Sequence, residues 1–206
     1  MTETLPPGIL LILSAPSGVG KTTLARRLMQ DLPKAHFSVS VTTRNPRGAE
    51  KNGVDYQFVD VDTFQRRIEQ DAFVEWAEVH GNFYGSPQAS VDIARETGCV
   101  SFFDIDVQGG QVIKRKNPDA VSVFILPPSM DELARRLRSR GTDHEDTIRR
   151  RLLGARSEMD RGVSTYDYVV INDDFDRALA DLHAIVVAEG RRRGRVRLDW
   201  LKSEGN

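Results

Sequence analysis

The run ILLILSAPSGVGKTT, residues 9–23, decides how the rest of the chain is read. Its first five residues are all apolar, which is the composition of a strand covered on both faces by helices. A glycine-containing turn follows at once, and then Lys21, Thr22 and Thr23. The pattern G-x-x-x-x-G-K-[ST] falls on residues 15–22, with Ala15 in place of the first glycine and Pro16, Ser17, Gly18 and Val19 between it and Gly20. The chemistry accounts for these residue types. Gly18 and Gly20 let backbone N–H groups point at phosphate oxygens, the helix that starts at Lys21 presents its positive end, Lys21 adds a point charge, and the Thr22 hydroxyl suits Mg²⁺. Ala15 is small enough for a turn that needs no positive φ at that position. A glycine-rich turn can also simply join a strand to a helix. The buried strand before it and the amphipathic helix after it favour a nucleoside triphosphate site over residues 15–23.

Working outward, the same rhythm repeats. Apolar strands are expected at 99–103, 122–126 and 168–171, with helices at 21–32, 107–116, 130–140, 147–161 and 174–189. Alternating strands and helices predict an α/β fold: a parallel sheet flanked by helices on both faces. Residues 36–97 depart from that rhythm. The segments SVSVTT, DYQFVDVD and FVEWAEVHGNFYG are strand-like and aromatic, separated by turn signals, and predict a small inserted lobe. The last helix runs into GRRRGRVR, where arginines either complement the helix dipole or bind an anion.

The 206 residues suit one such domain. A formal net charge of −1 leaves no overall basic field for nucleic acid, so any anion site is local. The start, MTETLPPG, lacks the basic region of a signal peptide, and the apolar run 9–13 is far shorter than the roughly 20 residues of a membrane span. A cytoplasmic protein without a membrane partner is expected. The single cysteine, Cys99, excludes an internal disulfide, and four scattered histidines lack metal-ligand spacing.

Further segments then fall in a telling order: SVSVTTRNPRGAEKNGVDYQFV, AFVEWAEVHGNFYGS, FFDIDVQG and RRLRSRGTDHEDTIRRRL. Behind a phosphate loop, this series resembles the guanylate kinase family across nearly the whole chain, from residue 9 to about 189. The resemblance implies a P-loop NTPase core (1–36 and 98–206), an inserted mixed GMP-binding lobe (about 37–97) and a short helical lid (about 136–152). It also implies transfer of the γ-phosphoryl group of ATP to GMP with Mg²⁺. Ser40, Arg44, Arg47, Tyr56, Glu75, Tyr84 and Ser86 fall on the family's GMP-binding positions.

The residues carry chemistry of their own. Arg44 and Arg47 flank a proline turn and could clamp a phosphate dianion with Tyr56 and Tyr84, because guanidinium forks match phosphate oxygens in pairs. A carboxylate such as Glu75 accepts two parallel hydrogen bonds from the N1–H and 2-amino group of guanine, which adenine lacks. Taken singly, each of these charged residues reads more readily as solvated surface than as a ligand contact. Gly48 and Ala49 stand where the family often has proline then glycine, which bears on the loop's shape. Asp104 and Asp106 follow an expected strand, where ligands of open α/β sheets collect. Asp104 could orient the magnesium shell or an arginine; Asp106 could reach the acceptor nucleotide or cap the helix near Val107.

Arg136 and Arg140, four residues apart, share a helical face, and Arg151 lies on the next helix. By matching position these three are expected to stabilise the transferring phosphoryl group, while Arg135, Arg138, Arg149 and Arg150 read as a solvated arginine-rich surface. Lys21, Arg44, Arg136, Arg140 and Arg151 are thus the expected catalytic set. Two rivals are a non-catalytic guanylate-kinase-like protein-binding module and a kinase acting on a ribose bisphosphate. An intact Lys21 and Thr22 argue against the first, and Glu75 with Ser40 and Ser86 against the second. A homo-oligomer is compatible with the chain.

Overall fold

A computed structural model describes residues 8–139 and 144–196. Strand β1 (Ile9–Ser14) is buried at every position and lies at the centre of a five-stranded parallel sheet. Its neighbours are β7 (Val100–Asp104) and β8 (Val121–Leu126), with β2 (Ala35–Phe37) beyond β7 and β9 (Tyr168–Ile171) beyond β8. The register pairs Leu13 with Asp104 and Ser14 with Phe124. The carboxyl ends of β1 and β7 therefore open side by side, which is where such sheets bind ligands.

Alternation along β1 divides the core in two. Ile9, Leu11 and Leu13 join one cluster with Leu24 and Leu28 of α1 (Lys21–Asp31), Leu133 and Leu137 of α5 (Met130–Ser139) and Leu182 of α7 (Phe175–Gly190). Leu10 and Ile12 face a second cluster with Val91 and Ala94 of α3 (Ala89–Thr97) and Ile113 of α4 (Val107–Lys116). Both faces of the sheet are covered, as the apolar run of β1 requires.

The aromatic segments build a separate four-stranded mixed sheet in the order β4-β3-β6-β5, from β3 (Val41–Thr42), β4 (Gln57–Phe58), β5 (Phe73–Val79) and β6 (Asn82–Pro87). Helix α2 (Val61–Glu69) seals it, with Phe64 stacked on Phe73 and Phe83 at centroid distances of 4.6 and 5.4 Å. The inserted segment is less uniform than its strand-like sequence suggested. It contains α2 and α3, Phe37 belongs to the parallel sheet, and α3 packs on β1, β2 and β7 of the core. The lobe sheet itself spans only Val41 to Pro87. Val74 of β5 is buried in the second core cluster, so the strand that carries Glu75 is anchored to the core.

Helix α6 (Glu145–Thr165) is longer at both ends than the expected 147–161. Leu133 and Leu137 are buried in the main core, so α5, which carries Arg136 at the start of the expected lid, packs on the core through that face. In the basic tail, Arg195 is buried and reaches Glu189 Oε2 at 3.3 Å and the carbonyl of Asp119. That arginine is a structural tie, and the anion-binding alternative does not apply to it.

Candidate active site

The chain leaves β1 and turns through residues 15–20 into α1. Gly18 and Gly20 both adopt φ of 100°, a backbone region that a side chain would strain. Ala15 keeps an ordinary φ, since Asp71 and His80 are the only non-glycine residues of positive φ among those described. The first-glycine departure therefore costs the loop nothing in backbone strain. Val19 is fully buried, and its carbonyl is held from outside by Asn172 Nδ2 at 2.7 Å and Arg136 Nη1 at 3.2 Å. Arg136 also donates to the Asn172 carbonyl at 3.0 Å and pairs with Glu132 at 2.7 Å.

Within the loop, Lys21 Nζ lies 2.5 Å from Asp104 Oδ1 and 3.0 Å from the Ile105 carbonyl. The Thr22 hydroxyl donates to Asp104 Oδ2 at 2.9 Å. Asp104 thus binds both residues that a polyphosphate and its metal would use. Ala15, Pro16, Ser17, Gly18, Gly20, Lys21, Thr22 and Thr23 line a cavity of about 390 Å³ with Asp104, Asp106 and Glu158. Glu158 on α6 is pushed above the ordinary glutamate range by burial, reinforced by the charge of Asp106.

A second cavity of about 320 Å³ adjoins it, sharing Lys21, Asp104 and Asp106. Ser40, Tyr56, Glu75, Tyr84 and Gly109 line its other walls. Glu75 is buried, and its Oε1 accepts from the Ser86 backbone N–H at 3.0 Å and the Ser86 hydroxyl at 2.7 Å. A Cβ on Gly109 would lie 3.1 Å from Glu75 Oε2, so the absent side chain keeps that oxygen accessible. Burial raises the Glu75 carboxyl above its ordinary value, opposed by the Ser86 bonds. Ser86 therefore orients the carboxylate. Asp106 caps α4 by accepting from Gly109 N–H at 2.8 Å, as its alternative reading proposed, while also lining both cavities.

Arg44 is buried under the lobe sheet, and its fork is bidentate with Glu50, both contacts 3.0 Å. Its guanidinium stands 5.3 Å from the Tyr56 ring centroid, and Tyr56 meets Tyr84 edge-on at 6.2 Å. Arg47 is exposed on the same turn, which closes when the Arg47 backbone N–H donates to Glu50 Oε2 at 2.7 Å. The turn after Arg47 passes through Gly48 with a φ of 55°.

Of the expected lid residues, Arg136 sits against the phosphate loop and Arg151 lies exposed on α6, while Arg140 lies outside the described residues. The arginines read as solvated behave so: Arg135, Arg138, Arg149 and Arg150 are all exposed, with Arg135 paired to Glu132 and Arg138 to Glu145, each at 2.7 Å. Sequence reasoning missed Glu50, Glu158, Tyr166 and Asn172. Asn172 directly follows β9, so the strand-end rule that pointed to Asp104 would have found it too. The others depend on approaches between distant segments and gave no local signal.

A phosphate loop joined through a shared lysine and aspartate to a second pocket with a buried, oriented carboxylate defines a P-loop nucleoside monophosphate kinase. Comparison with known proteins narrows the class. A sequence model described as Guanylate kinase matches residues 8–189. The chain is 67% identical over 197 residues to the guanylate kinase of Myxococcus xanthus, covering 96% of this chain and 94% of that protein. It is 52% identical over 195 residues to that of Caulobacter vibrioides, covering 94% and 90%. The crystal structure of guanylate kinase from Anaplasma phagocytophilum superposes with a TM-score of 0.79 at 36% identity, covering 98% of this chain and 96% of that one. The chain belongs to the guanylate kinase family.

Proposed function

We propose that the protein transfers the γ-phosphoryl group of ATP to GMP, with the donor in the phosphate-loop cavity and the acceptor in the Glu75 cavity. The single observation that carries this reading is that the two cavities meet at Lys21, Asp104 and Asp106. A phosphoryl group passed in line between them crosses that point, and no side-chain nucleophile is needed. Glu75 reads N1–H and the 2-amino group of guanine, with Ser40 and Ser86 beside it. Arg44, Arg47, Tyr56 and Tyr84 receive the GMP phosphate, and Glu50 holds the Arg44 fork before it arrives.

Thr22 and Asp104 fit Mg²⁺, because a hydroxyl and a carboxylate meeting at 2.9 Å are the hard oxygen donors this cation prefers. The ion would neutralise charge on the transferring phosphates. The protein-binding alternative is not favoured, since Lys21 and Thr22 are both present after the glycine turn and are held by Asp104. A ribose bisphosphate would leave the buried Glu75 carboxylate without a base to read. The reading places the reaction in the cytoplasm; among the described residues no helix is long and apolar enough to cross a membrane.

The test is an assay offering GMP, AMP, UMP and a ribose bisphosphate with MgATP. GMP should be consumed fastest by a wide margin, and preferential use of any other acceptor would overturn the reading. The lid, proposed over about 136–152, brings Arg136, Arg140 and Arg151 toward the phosphates. Arg136→Ala and Arg151→Ala should each lower kcat by about tenfold to a hundredfold and raise KM for GMP less, because the interaction strengthens as charge moves in the transition state. Steady-state kinetics at saturating ATP separates the two effects.

A further inference from the structure

Tyr166 belongs to none of the motifs that pointed to nucleotide. It follows α6 and enters β9, on the opposite side of β1 from the main core cluster. Its hydroxyl nevertheless donates to Ser14 Oγ at 2.6 Å. Ser14, the fully buried last residue of β1, donates in turn to the Ile105 carbonyl at 2.7 Å. That carbonyl is also the acceptor for Lys21 Nζ at 3.0 Å. Three segments distant in sequence thus form one continuous chain ending on the phosphate-loop lysine.

We propose that Tyr166 is a positioning residue for phosphoryl transfer, holding the seat of the Lys21 ammonium through Ser14 and the Ile105 carbonyl. A hydroxyl has a single proton. When Tyr166 donates into the Ser14 oxygen, the Ser14 proton is directed at Ile105, and bonds linked in this way polarise and strengthen one another. The Ile105 carbonyl is then fixed one residue past the end of β7, where the Ile105 N–H makes the last tie to β1 by donating to the Leu13 carbonyl at 3.2 Å. Lys21 is oriented by that carbonyl on one side and Asp104 on the other, before any nucleotide enters. Preorganisation of this kind lowers the cost of placing a charge where the transition state needs it.

The phenol is itself held firmly. Its ring meets Phe124 edge-on at 5.5 Å and 65°, and the backbone at Gly110 runs so close to the hydroxyl that no side chain fits there. Burial pushes the phenol up to about 12, so Tyr166 remains a donor at neutral pH. Tyr166 also lines a separate cavity with Gln111 and Thr165.

The inference rests on seating the donor phosphates at the phosphate loop, and the experiment separates the two. Tyr166→Phe, Ser14→Ala and the double variant are compared with the parent for kcat, KM for ATP, KM for GMP and Tm. Each single change should lower kcat/KM for ATP by about three- to tenfold, the range of one lost hydrogen bond, with KM for GMP unchanged. The double variant should be no worse than the weaker single, because both cut the same chain. Parent-like ATP kinetics in Tyr166→Phe would overturn the proposal, as would losses that multiply in the double or a lowered Tm with unchanged kinetics. If the phenylalanine variant is unstable, Ser14→Ala interrupts the chain from its other end and is judged by the same ATP-against-GMP contrast. Lys21→Ala is measured alongside: if it keeps its turnover, the phosphate-loop seating has failed, whatever Tyr166 does.

Discussion

Lys21→Ala should lower turnover at least about a thousandfold while GMP binding stays largely intact, because the preorganised positive charge beside the transferring phosphates is lost. Lys21 stands at the junction of the two cavities, 2.5 Å from Asp104 and 3.0 Å from the Ile105 carbonyl. Both contacts place its charge without a ligand present, so the enzyme spends no reorganisation on it during the reaction. Glu75, Ser86 and Tyr84 are on the lobe sheet, Arg44 is on the turn just after β3, and their mutual contacts do not involve Lys21. Titration calorimetry with GMP and a coupled assay with MgATP distinguish the two sites. Near-normal turnover would sink the kinase reading. Removing the lysine also leaves Asp104 with Thr22 as its remaining partner of the two, so a stability scan should accompany the kinetics.

The second large effect concerns base choice. Glu75→Gln preserves shape but removes the charge and places an NH₂ donor toward the donors of guanine. Hydrogen bonds to a charged group contribute roughly 1.5–3 kcal/mol, so kcat/KM for GMP should fall about tenfold to a hundredfold. AMP should gain relative to GMP without becoming a good substrate, and KM for ATP should barely move. The structure adds a pH signature. Burial raises the Glu75 carboxyl above its ordinary 4.5, so on acidification it takes up a proton before a solvated glutamate does. The protonated form has lost one acceptor site and its charge, so KM for GMP should rise on the acid side of neutrality in the parent. The part of that acid limb contributed by Glu75 should be absent from the Gln variant, whose amide does not titrate, while protonation of the GMP phosphate itself affects both proteins alike. A GMP to AMP ratio unchanged by the substitution would mean that Glu75 does not read the base.

Much of this organisation was legible along the chain because it is periodic or local. An apolar run followed by glycines, a lysine and a threonine has few physical interpretations, and β1, the loop and α1 formed where they were expected. The strands near 100, 122 and 168 were found within a residue because buried parallel strands are continuous apolar runs. The inserted lobe was harder. Residues 61–69 and 89–97 are helical amid strand-like neighbours, and short segments of that kind are settled by what they pack against.

What the sequence determined by itself was therefore the class of chemistry: a phosphate loop at Ala15 to Thr23, and candidate arginines, tyrosines and a glutamate in a fixed order. Tertiary structure alone decided which of these meet. Asp104 reaches Lys21 and Thr22 because β1 and β7 are adjacent in register, so that Leu13 pairs with Asp104 across a separation that no local pattern encodes. Glu75 becomes a buried, oriented carboxylate because β5 and β6 pair antiparallel, which brings Ser86 opposite it. Arg136 meets Val19 and Asn172 because α5 buries Leu133 and Leu137 on the core and leaves its polar face beside the loop. Side-chain type is a property of one position. The distance between two side chains depends on every strand pairing and helix contact between them, and that information exists only once the chain has folded.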